Sequence, residues 1–197
     1  MRARWESVYR SLMDSVRTLK AEKAFSRMRK RDDRIARFAD TASLLSYLRR
    51  EDTDLDTKDG VYAALITAAQ SRTAYAAVAT ELVWLGLWPA LDAVYKRKLR
   101  FFLAAPEELV SEIGDAFTLQ LARFDVTSIS RVASTIVRSV EREILDGRRR
   151  RWEREAQSRP LPSDDALTGD DERFSVGAPL HRAKVVRDSA LSCKEQG

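Results

Sequence analysis

Apolar residues along this chain recur at spacings of three and four rather than two, which predicts helices rather than strands. Trp5, Val8, Tyr9, Leu12, Met13, Val16 and Leu19 form the first stripe and predict a helix over 3–30. Its polar side carries Arg4, Arg10, Arg17, Lys20, Lys23 and Arg27. A short helix is expected at Thr41–Arg50, around Leu44, Leu45, Tyr47 and Leu48. Residues 51–60, EDTDLDTKDG, are acidic, nearly devoid of apolar side chains and end in Gly, and read as a linker or loop.

Residues 61–88 are rich in Ala, Leu, Val, Tyr and Trp. They predict a helical hairpin broken near Ser71–Arg72–Thr73, or one long buried helix. Pro89 suits the first turn of a further helix, Pro89–Phe102. Pro106 opens a helix to Phe124 whose buried stripe is Leu109, Ile113, Phe117, Leu121 and Phe124. The last helix is expected from about Ile129 to Trp152, with Val132, Ile136, Val140 and Ile144 inward and Thr127, Ser128 or Ser130 as its N-cap. Periodicity then stops among Pro160, Pro162, Gly169, Gly177 and Pro179. The expectation is an all-α, multi-helix bundle. Residues 1–50 form a basic helical segment, 51–60 an acidic linker, 61–156 the core and 157–197 a disordered tail. Seven Gly and five Pro are too few for the many turns of a β-sandwich.

Candidate chemistry narrows the picture mainly by exclusion. The lone cysteine, Cys193, allows no disulfide within the chain and points to a reducing compartment. The start, MRARWESVYR, has charges where a signal peptide needs an apolar run. Ala74 to Leu91, the most apolar stretch, is interrupted by Thr80, Glu81 and Pro89 and falls short of a clean membrane span. A cytoplasmic protein without membrane contact is expected. The one histidine, His181, lies in the predicted tail, so Ser-His-Asp and Cys-His catalysis lack a positioned imidazole. Clustered Cys and His for zinc, a Walker loop and a GxGxxG turn are all absent from the sequence. Glu108, Glu112 and Asp115 share a helix face and could hold a metal or act as acid and base. No other carboxylate motif completes a cage, so the face reads as solvated or partner-binding. A binding protein with no metal, cofactor or catalytic residues is expected.

Charge gives the binding expectation its shape. The net +5 is unevenly placed: residues 1–37 hold 12 Lys and Arg against 5 Asp and Glu, residues 106–125 hold 1 against 5, and residues 126–159 hold 9 against 5. Arg148, Arg149, Arg150 and Arg151 wrap most of a helix circumference and repel one another, so a counter-anion is called for, phosphate being the usual one. Alternating blocks predict two partners: a basic protein surface for the acidic helix and a polyanion for the arginines.

From Trp88 to about Arg154 the words DAVYKRKLRFF, PEELVSEIGDAF and SRVASTIVRSVEREILDGRRRR run in order. The segment resembles the second, core helical region of bacterial sigma-seventy-type factors, and covers about a third of the chain. The resemblance implies a transcription regulator. Glu108, Ser111 and Glu112, with Asp115 on the same face, would dock on RNA polymerase. Arg131, Arg138, Arg142 and Arg148–Arg151 would face DNA. Ser111 stands where the family has Gln, Gly114 where it has an aromatic, and Val132 where an aromatic helps trap unpaired bases. The alternative from a different class is a helical protein–protein adaptor that binds no nucleic acid.

Overall fold

A computed structural model describes residues 2–128 and 130–157, the side chains of 155 and 156 excepted. Eight α-helices are present among them and no strand: α1 Ala3–Val16, α2 Leu19–Arg29, α3 Asp33–Ala36, α4 Thr41–Arg49, α5 Leu55–Gln70, α6 Ala76–Lys98, α7 Pro106–Arg123 and α8 Val132–Gln157. A 3-10 turn, Leu99–Phe101, follows α6. The all-α bundle is as the periodicity predicts. The tail predicted at 157–197 lies outside the described residues, apart from Gln157 in the last turn of α8.

Three helix boundaries differ from the sequence reading, two of them for a local reason and the third for a tertiary one. The helix expected over 3–30 is two helices. Thr18 takes an extended conformation and its side chain accepts from Ala21 N at 3.2 Å, which starts α2 afresh. A hydroxyl that can cap competes with continuing the helix. The stretch expected as a linker over 51–60 is helical from Leu55, because Asp54 accepts from Thr57 N at 2.8 Å and Asp56 sits in the first turn. Carboxylates there satisfy free N–H groups and the helix dipole. The hairpin reading of 61–88 holds: α5 ends at Gln70 and α6 begins at Ala76.

The third difference is at Pro89, which was expected to open a helix and instead lies inside α6. Proline has no N–H, so the carbonyl four residues earlier loses its helical donor. That carbonyl belongs to Leu85, and Arg49 of α4 donates to it from Nη2 at 3.3 Å. A tertiary contact thus replaces the missing bond and lets α6 continue. Arg49→Ala should therefore destabilise the fold by about 1–3 kcal/mol, the cost of an unsatisfied buried acceptor. Urea unfolding measures it, and an unchanged midpoint would show that the carbonyl finds water instead.

Helix α6 is the axis of the core and packs against α1, α2, α4, α5, α7 and α8. Ala76–Phe101 is long and apolar enough to cross a membrane, with a mean hydropathy of 1.3 over its best window, 56% of which is buried within this protein. Its apolar length is used to hold other helices. Trp5 is fully buried against it, with ring centroids 4.3 Å from Trp88 and 5.0 Å from Tyr95. The Trp5 indole donates to Asp92 Oδ1 at 3.0 Å, and Arg2 and Lys96 pair with the same carboxylate. Burial works to raise the Asp92 pKa, but Lys96, the indole and Arg2 outweigh it and hold it below the usual carboxylate value. Residues 1–50 are thereby packed on the core.

Candidate nucleic-acid interface

The stripes on α7 and α8 are inward as predicted: Leu109, Ile113, Phe117, Leu121 and Phe124 on one, Val132, Ile136, Val140 and Ile144 on the other, are all buried. Their helix ends are finished by α5. Gln70 donates to the carbonyls of Leu121 and Phe124 at 2.9 and 2.8 Å, closing the C-terminus of α7. Asp59 Oδ1 accepts from Ala133 N at 3.2 Å, at the N-terminus of α8. The expected local cap from Thr127, Ser128 or Ser130 is thus supplied from another helix. Thr127 instead turns its hydroxyl to Asp125 at 2.6 Å.

With the inward face of α8 fixed, its outward face follows. Arg131, at the helix entry, and Arg138, Arg142 and Arg149 are all exposed. At 100° per residue they fall within an arc of about 40°, spread along about 27 Å of axis. Arg131, Arg138 and Arg142 make no ion pair among the described residues. Arg149 has one exposed partner, Glu153, at 3.7 Å. Four like charges on one line repel, and a ridge of this length suits a polyanion.

The arginine run divides by role. Arg150 pairs with Glu143 at 2.8 Å. The Arg148 guanidinium lies 4.8 Å over the Phe101 ring and 5.7 Å over that of Phe102. Arg151 bridges to α7, bonding Glu108 at 3.1 Å and also Glu112. The two charged faces, expected to be separate, are therefore joined at one point. At this end of the hairpin Glu108 and Glu112 are bound by an arginine of the same chain.

The rest of the acidic face is open. A groove of about 600 Å³ is lined by Glu107, Glu108, Ser111, Glu112 and Asp115, with Arg4 of α1 and Arg151 at its edges. Ser111 donates its hydroxyl to Glu107 O in its own helix at 3.3 Å, and both Ser111 and Asp115 are exposed. Among the described residues no group of His, Cys, Asp and Glu is placed to hold a metal ion. Further along α8, Glu141 accepts from both Arg97 and Lys98, at 2.9 and 2.8 Å, and these two cations hold its pKa below the ordinary value. Arg97 and Lys98 are thus occupied within the fold.

The structure brings together Glu108, Glu112 and Arg151, and it aligns Arg131, Arg138, Arg142 and Arg149. The sequence reading missed the Arg151 bridge, although a signal for it existed. A connection of eight residues, 124–131, makes α7 and α8 antiparallel neighbours, so the start of one must lie beside the end of the other. It also missed the exposed Trp152 and Phe101, neither of which falls on an inward stripe.

Comparison of the chain with family models, curated proteins and solved structures returns no match.

Proposed function

We propose that this protein is a non-enzymatic, sigma-like transcription regulator that binds DNA through the outer face of α8 and RNA polymerase through the exposed part of the α7 acidic face. The observation carrying the DNA half is the ridge of Arg131, Arg138, Arg142 and Arg149, exposed and largely unpaired within the fold. Guanidiniums along such a ridge can neutralise phosphates, the contact that supplies most sequence-independent affinity for DNA. Arg148, Arg150 and Arg151 are held by Phe101, Glu143 and the α7 carboxylates and contribute less than the run of four suggests. On the polymerase side Glu107, Glu108, Ser111 and Asp115 keep exposed surface, while Glu112 acts through Arg151.

Titration of a DNA duplex with the full chain at several salt concentrations tests this reading. Replacing Arg131, Arg138 and Arg142 together with Ala should lower the slope of log K against log salt by about 3 and weaken binding roughly 30-fold. Arg151→Ala should leave the slope almost unchanged, since that guanidinium faces α7. Equal slopes for wild type and the triple variant would refute the DNA reading. Pull-down with core polymerase, using Asp115→Arg as the charge reversal, tests the other half.

A further inference from the structure

Six large apolar side chains are well exposed among the described residues, and three of them come together around one cavity between the turn after α6 and α8: Phe101, Leu145 and Trp152, at 40, 44 and 73%. Single exposed apolar residues are ordinary, but such a gathering marks an interaction site. Phe101, Phe102, Leu145 and Trp152 line an open cavity of about 610 Å³. Arg148, Arg149 and Arg151 line it too, with Glu108 the single carboxylate in its wall among the described residues. Arg100 adds a guanidinium 4.6 Å over the Phe101 ring. The lining thus combines exposed apolar side chains with basic ones.

We infer that this cavity is a docking site for an acidic protein segment, with one large apolar side chain seated among Phe101, Leu145 and Trp152 and flanking Asp or Glu residues meeting Arg100, Arg148 and Arg149. An apolar anchor in a pocket with charge complementarity around it is how short segments bind specifically. The chemistry favours protein over nucleic acid. Bases stack in succession on several open aromatic faces, whereas Arg148 and Arg100 already lie over Phe101, Phe102 is buried and Leu145 offers no ring, which leaves Trp152 as a single open face. It favours protein over a lipid surface because the apolar groups line a concavity. This site is distinct from the arginine ridge except at Arg149, and it does not depend on the DNA reading.

Panning a random 12-residue peptide library against the immobilised full-length protein tests it without presupposing a sequence. Enriched peptides should combine a Trp, Phe or Leu with several Asp or Glu residues. A selected peptide should bind Trp152→Ala or Leu145→Asp at least about 10-fold more weakly than wild type, and more weakly at 300 mM than at 50 mM salt. Both positions are exposed, so far-UV circular dichroism and the thermal midpoint should not move, which separates lost docking from lost folding. Four results would overturn the inference: no enrichment; enrichment of basic or wholly polar peptides; equal affinity for wild type and both variants; or a Trp152 dependence seen only in self-association, in binding of oligothymidylate or in binding of phosphatidylglycerol vesicles.

Discussion

Trp5→Ala should destabilise the fold by about 3–5 kcal/mol, the largest single effect expected among the substitutions considered. Trp5 is 0% exposed, stacks on Trp88 and Tyr95, and donates its indole N–H to Asp92. Truncation removes that apolar surface from the seam between α1 and α6 and leaves a void that rigid helices fill only in part. Asp92 keeps Arg2 and Lys96, so the carboxylate is not stranded and the loss is mainly one of packing. The substitution also asks whether residues 1–50 are integral to the domain. Urea unfolding followed by circular dichroism should show one cooperative transition with a lowered midpoint. A two-step curve with an unmoved main transition would mean that α1 folds separately.

Gly86→Leu should cost about 3 kcal/mol, because the position has no room rather than an unusual backbone. A Cβ placed on Gly86 would stand 2.8 Å from Leu48 Cδ1, 2.9 Å from Tyr62 Oη and 3.1 Å from Tyr62 Cε1. Leu48 and Tyr62 are themselves buried, at 5 and 3% exposure, and cannot swing away into solvent. At Gly86 side chains of α4 and α5 therefore press close against the α6 backbone. Gly86→Ala should cost less, since only a Cβ overlaps and the gain of about 1 kcal/mol in helix propensity over glycine offsets part of it. Gly114 provides the contrast. Nothing lies within 4 Å of a Cβ there, so Gly114→Ala should stabilise α7 by up to about 1 kcal/mol. Thermal unfolding of the three variants should rank Gly114→Ala above wild type and Gly86→Leu lowest. A tolerated Gly86→Leu would show that α4 can shift.

The charge pattern is where reading in one dimension and in three part most clearly. Along the chain the acidic block of α7 and the arginine run of α8 look like two faces for two partners. In the fold Arg151 joins Glu108 and Glu112, and Arg150 takes Glu143. Exposed pairs of this kind add little stability, commonly under about 1 kcal/mol each. Their effect is on availability: they withdraw charges from outside partners and leave Arg131, Arg138 and Arg142, with Arg149 beside Glu153, as a basic line along α8. Arg148, laid over Phe101 and Phe102, becomes part of the wall of an apolar cavity.

The helical class, the inward stripes and the opening of α7 were legible along the chain. These depend on periodicity and on residues within one turn of each other. Leu109, Ile113 and Phe117 had to share a face, and Pro106 with Glu107 and Glu108 had to open a helix. Tertiary structure alone decided what depends on residues far apart in the chain. Arg49 carries α6 through Pro89, Asp59 starts α8, Gln70 closes α7 and Arg151 occupies the acidic face. In each case a backbone or charged group lacks a partner within its own turn. Which distant side chain supplies one is set by how the helices pack, and no local spacing encodes it.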